Sequence, residues 1–310
     1  MSTTTSPPRA SSTPPSQRSN PVRRLGDRVF TGLSTGSGIA ILAILALVAG
    51  FLVMQAFPAL TTAPDKLKSE GYGEFWSWVA PFAFGTVWAS FLALLFAVPV
   101  SLGIALFISH YAPRKLSQAI GYLIDLLAAV PSVVFGLWGA NVFATAMVPV
   151  YDWLSTYLGF IPLFAPPSSG TGRTILTAAL VLAIMVLPII TSLCREIFLQ
   201  TPKLHEEAAL ALGATRWEMA RMAVFPFARA GIVSAVMLGL GRALGETMAV
   251  AMVLSGSDVI TFNVVGSQNP NTIASTIALN FPEAFGLRIN QLIAAGLVLF
   301  IITLVVNMVA

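Results

Sequence analysis

A chain of 310 residues that is 56% hydrophobic and only 10% charged cannot clothe a soluble fold, because soluble domains carry about 25% charged residues. The mean hydropathy of +0.83 excludes a disordered protein and a soluble enzyme. The 17 basic and 13 acidic residues, a net charge of +4, are too few and too scattered for a nucleic-acid-binding stripe.

Residues 1–20 are almost entirely Ser, Thr and Pro with two arginines, and basic residues continue to Arg28, so 1–28 reads as a disordered basic tail. The apolar run Ile39–Phe57 approaches the roughly 20 residues that span hydrocarbon as a helix. It begins too far from Met1 for a cleaved signal peptide. The segment 29–74 is therefore assigned to a first span and an external loop, and 75–310 to the main membrane domain. Further spans are predicted at about 80–108, interrupted by Pro81 and Pro99, and at 126–151, with a start near Gln118 and Asp125 in its first turns. Three more follow at 174–194, 230–255 and 289–310, and the Gly-, Pro- and aromatic-rich stretch 151–172 reads as a loop with interfacial anchors. These runs are long and continuous rather than alternating, which predicts an all-α membrane protein of about six transmembrane helices, not a β-barrel. The sequence stops at Ala310 directly after an apolar run, where a basic anchoring residue is expected next.

Placing the tail in the cytoplasm puts twelve basic residues inside and four outside, as the positive-inside rule requires, with both termini cytoplasmic. The longest inside loop, 196–229, is also the most charged.

Several chemistries are missing. No lysine follows a glycine as a phosphate-cradling P-loop requires. His205-Glu206 lacks the second histidine of a zincin, and Cys194 is the sole cysteine, so neither a metal site nor an intrachain disulfide is expected. Within the fifth span, Arg242 and Glu246 stand four residues apart, which predicts a shared face of one continuous helix. A charge in mid-bilayer costs at least about 2.5–3.5 kcal/mol on insertion scales, so the pair should face a cavity or a partner. A guanidinium can offer an oxyanion two parallel hydrogen bonds, which makes Arg242 the primary translocation candidate and Glu246 its companion. The bland alternative is a self-neutralising Arg–Glu pair. Asp125 and Arg195 are weaker candidates, better explained as interfacial charges. Gly241 and Gly245 fit a small-xxx-small face for close helix contact.

In the loop, Thr201 or Pro202 can open a short helix and Gly213 permits a turn into a second amphipathic helix from about Thr215 to Phe225. Glu207-Ala208-Ala209, with Gly213 four residues on and Ala223-Val224-Phe225-Pro226 beyond, resembles the EAA loop of ABC importer permeases. The stretches LAAVPSVVFGLWG at 127–139, LPIITSLCREIFLQTP at 187–202 and GLGRALGETMAVAMV at 239–253 are similar to the PstC-type permeases of phosphate importers. The resemblance covers about 75–310. It implies a type I ABC importer permease fold, with Glu206, Glu207, Ala208, Ala209 and Gly213 in a coupling element at about 201–226 that engages an ATPase. It also implies inorganic phosphate as cargo, a second homologous (PstA-type) permease, a PstB-type ATP-binding dimer that uses ATP and Mg, a PstS-type extracytoplasmic phosphate-binding protein, and residence in a bacterial inner membrane. No cofactor is expected on this chain itself. A proton-coupled anion carrier would normally show internal repeats, and none is evident. A non-transporting scaffold or sensor leaves the central charges without a role.

Overall fold

The computed structural model describes residues 25–61 and 74–309, which divide after Gly50 into two units. Among the described residues, six helices are long and apolar enough to cross a membrane. The first, α1 (Leu25–Thr61), begins within the segment assigned to the tail; residues 1–24 and most of the predicted external loop, 62–73, lie outside the described residues. Up to Gly50 this helix leaves large apolar side chains such as Phe30 and Leu47 exposed, which suits a surface bathed in lipid rather than water.

The second unit takes in the end of α1 from Phe51 and continues with α2 (Phe75–Leu106), extended by a π-helical turn over Phe107–Tyr111. The amphipathic α3 (Arg114–Ala128) follows and buries only Gly121 and Ile124. The third span does not start near Gln118. Pro131 lacks an amide proton and disfavours helical geometry in the residue before it, so α3 ends and the span begins afresh as α4 (Ser132–Trp138). It continues through a π-turn at Gly139–Phe143 into α5 (Ala144–Leu158). The first eight residues of the predicted loop 151–172 are thus helical, with Tyr151 fully buried and its hydroxyl 2.6 Å from Thr177 Oγ1, while Trp153, Tyr157 and Phe160 are exposed as anchors would be.

Helix α6 (Ile175–Leu199) is the centre of the fold. Its most apolar stretch is 72% buried, against 39% or less in the other spans. Its first half packs with α2, Ala249, Val250 and Val253 in one apolar cluster, and its second half with Leu106, Met219, Val224 and Ala228 in another. A third cluster joins Phe75, Val79 and Phe82 to Ala294 and Ala295. After α6 come α7 (Lys203–Ala211), α8 (Arg216–Met219), a π-turn at Ala220–Val224 and α9 (Phe225–Leu244), the last three forming one continuous rod.

A break at 245–247 separates α9 from α10 (Met248–Val253). The chain then makes two short parallel strands, β1 (Gly256–Ser257) and β2 (Asn269–Pro270), and enters α11 (Ile273–Asn280) and α12 (Leu287–Val309). Asn269, fully buried, clamps this segment to the start of α6. Its Oδ1 accepts from Ile175 N at 2.9 Å, and its amide donates to Gly266 O and Arg173 O. Thr86 on α2 accepts from Ile273 N at 2.9 Å. Beside it, Gly85 allows the backbone of 270–271 to lie directly on α2: a Cβ there would overlap the Asn271 carbonyl oxygen and sit 2.9 Å from that of Pro270.

Candidate translocation and coupling sites

Arg242 and Glu246 do not share a helix. Arg242 lies in the last turn of α9 and is exposed, whereas Glu246 is buried in the break before α10. Among the described residues no ion pair within 4.0 Å joins them. Each charge is instead placed at the helix end that favours it. A cation in a final turn faces the partial negative charge of unsatisfied carbonyls. The Glu246 carboxylate accepts from Ala249 N at 3.2 Å in the first turn of α10, the part normally taken by a capping side chain. Just past the break, Gly136 on α4 lies against α10 so tightly that a Cβ on it would be 2.9 Å from the Ala249 Cα.

Arg242 lines an open cavity of about 690 Å³ with Ser234, Gly241, Ile189 and Asn307. This groove runs along one flank of the bundle, and an exposed guanidinium on a membrane-spanning helix needs a partner or water to cover it. Among the described residues, a Cβ on Gly241 would meet nothing within 4 Å and one on Gly245 only the Gly241 carbonyl oxygen. The close contact predicted for them is made by Gly239, where a Cβ would fall 2.7 Å from Val186 and 2.8 Å from Ile190 on α6. Asp125 is exposed on α3, outside the third span. Arg195, at the end of α6, lays its guanidinium over Gly121 of α3 and approaches its neighbour Glu196 at 3.7 Å, with Glu196 largely exposed. An exposed pair of that kind contributes little, about 0–1 kcal/mol.

The candidate coupling residues lie together in the helix-turn-helix that the spacing predicts. Pro202 precedes α7, and Gly213 adopts φ +86°, a left-handed turn that L side chains rarely enter, with open space where a Cβ would point. Thr215 then opens α8 through a reciprocal capping box: its Oγ1 accepts from Glu218 N, and Glu218 Oε2 accepts from Thr215 N at 2.7 Å. The second amphipathic helix is therefore the beginning of the α8–α9 rod rather than a separate element. Glu207 and Ala208 are exposed, while Ala209 is half-buried against the apolar cluster at the end of α6. Glu206 departs from the group, because its carboxylate turns inward to His110 Nε2 at 3.3 Å. His205, Leu212, Met222 and Phe227 border a groove of about 360 Å³, and Leu204 and Leu212 are 75% and 90% exposed. Exposed apolar surface next to charged residues has the character of an interaction surface, for protein or for membrane.

Residues 97–310 match the family of binding-protein-dependent transport system inner membrane components. The chain is 43% identical over 304 residues to the phosphate transport system permease protein PstC 2 of Mycobacterium tuberculosis, covering 93% of this chain and 91% of that relative. It is 39% identical over 307 residues to the phosphate transport system permease protein PstC of Mesorhizobium japonicum, covering 95% and 92%. Among solved structures, a chain of a bacterial ABC transporter involved in the import of the acidic polysaccharide alginate superposes with a TM-score of 0.52 at 18% identity, covering 92% of this chain and 98% of that one. That likeness is one of fold, and the six long apolar helices agree with it. The family match over most of the chain, together with relatives of about 40% identity along nine-tenths of it, identifies a multi-pass inner-membrane permease of the binding-protein-dependent transport family, in its PstC branch.

Proposed function

We infer that this chain is the membrane-spanning permease subunit of an ATP-driven importer that moves inorganic phosphate into a bacterial cell. The observation that carries the cargo assignment is the likeness to PstC phosphate permeases along nine-tenths of the chain. The geometry supports the mechanism: Arg242 stands exposed on one flank in an open groove, as expected of half a pathway that a second, homologous permease completes.

An extracytoplasmic phosphate-binding protein delivers the ion on the side opposite the coupling helix. Arg242 then offers two parallel hydrogen bonds and a charge that offsets part of the ion's desolvation. Glu246, one helix break away, accepts the proton of a protonated phosphate, an interaction that sulfate cannot make. A dimer of ATP-binding subunits docks on the exposed face of 201–226, and its closure, driven by ATP and Mg²⁺ held by that dimer, reorients the helices by alternating access. This chain contributes no hydrolytic residues of its own, and both of its termini lie in the cytoplasm.

Reconstitution of the four kinds of subunit in vesicles tests this reading. ATP-dependent uptake of radiolabelled phosphate in preference to sulfate is expected. Uptake that persists without ATP under a proton gradient would replace it with a secondary carrier, and no uptake of any oxyanion would replace it with a scaffold.

A further inference from the structure

Glu206 and Glu207 are adjacent on α7, about 100° apart around the helix. Glu207 is exposed toward the docking face, whereas Glu206 is half-buried and bonded to His110. His110 lies 96 residues earlier, in the π-turn that ends α2, and its side chain is only 8% exposed. Among the described residues, this is the single hydrogen bond or ion pair that leaves α7 for an element outside the coupling loop.

The proton arrangement makes the contact directional. Ser109 Oγ lies 2.7 Å from His110 Nδ1 and also 2.8 Å from Ala105 O. A hydroxyl has one hydrogen. If it goes to Ala105 O, Nδ1 must donate to Ser109, and Nε2 can face a carboxylate favourably only as an imidazolium donor. If it goes to Nδ1, the imidazole is neutral and its remaining proton is on Nε2. In both cases Nε2–H donates to the Glu206 carboxylate, a charge-assisted bond. The same π-turn is held from its other side by Ser117 on α3, whose hydroxyl donates to Ile108 O at 2.9 Å. The turn is thus a junction between α2, α3 and α7.

We propose that His110 is a positioning residue for energy coupling: through Glu206 it straps α7 to the end of α2, so that displacement of the coupling helix is delivered to the second span as well as to the spans joined to it by the chain. The proposal rests on the importer reading but is separable from it. In the reconstituted complex, phosphate transported per ATP hydrolysed is measured for His110→Ala, Glu206→Ala, the double variant and His110→Gln, whose amide can still donate to Glu206. Hydrogen–deuterium exchange over 107–111 is followed with and without a non-hydrolysable ATP analogue, a readout that needs no knowledge of the cargo.

Each single alanine variant is expected to lower the transport ratio at least threefold and to abolish the nucleotide-dependent change in exchange at 107–111. The double variant should be no worse than either single one, and His110→Gln should retain most of the native ratio. Additive losses, a glutamine variant as poor as alanine, or an unchanged exchange response in the alanine variants would overturn the strap. Absence of phosphate uptake by the native complex, with the exchange response intact, would count against the cargo assignment and leave the strap standing. If His110→Ala does not assemble, Glu206→Ala reads the same link while leaving the buried imidazole on Ser109.

Discussion

Replacing Arg242 separates the proposed role in transport from any role in stability, because the two predict opposite signs. Its guanidinium is exposed in the groove and paired with no carboxylate within 4.0 Å among the described residues. Removing it should orphan no partner, and in a membrane helix it removes a charge that is costly to insert. Transport should respond differently. A charge-assisted hydrogen bond contributes about 1.5–3 kcal/mol, so Arg242→Gln, which loses the charge and the fork, should lower the kcat/KM of phosphate uptake about 100-fold. Arg242→Lys keeps the charge but offers a point donor instead of a planar pair, and should lie between, at about 10-fold. Radiolabelled uptake in vesicles, with thermal stability of the purified complex as the control, provides the two measurements. The reasoning fails if Lys and Gln are equally impaired, if both transport within threefold of the native protein, or if the loss of uptake simply follows a fall in melting temperature.

Glu246→Gln retains an oxygen that can accept from Ala249 N, so α10 should remain intact while the charge disappears; phosphate uptake and the preference over sulfate should both fall, and unchanged values of both would remove Glu246 from the pathway. On α2, Gly85→Ala forces a Cβ into the backbone of 270–271, whereas Gly103→Ala meets open space. The first should destabilise by about 1–3 kcal/mol as overpacking does and the second should be neutral or stabilising by up to about 1 kcal/mol; equal melting temperatures would show that the 270–271 segment does not rest on α2. At Gly213 there is room for a side chain but the backbone is left-handed. Ala should therefore cost about 1–2 kcal/mol and Asn less, measured as loss of phosphate-stimulated ATP hydrolysis by the complex, with Ala equal to native as the refuting result.

The six spans were legible because hydrocarbon thickness imposes a length, and runs such as 175–194 meet it without charge. The two breaks were harder to read. Pro131 signalled the first, yet Asp125 was joined to the span because the apolar residues on α3 blend into those that follow. At the second, Gly239 to Val253 reads as one helix by composition, and the contact just past the break, Gly136 against Ala249, is a long-range one. A local signal was present all the same: Glu246 and Thr247 directly before an apolar run have the character of a helix start. The coupling loop was legible almost residue by residue, since Gly213, Thr215 and Glu218 act through their nearest neighbours. The His110–Glu206 strap and the clamp at Asn269 were not, because each joins residues about 95 positions apart with no periodic pattern between them.

The break at 245–247 also bears on how such a site can change over evolution. When two buried charges hold each other, deleting one strands the other at a cost of about 3–5 kcal/mol, so the pair tends to be kept or lost together. Arg242 and Glu246 are anchored separately, one in the final turn of α9 and the other on an amide of α10. Their charges can therefore be altered one unit at a time by single substitutions that leave the fold standing. Under the proposed pathway, a lineage with this geometry has a gradual route from one anion to another of different charge, through intermediates that still assemble.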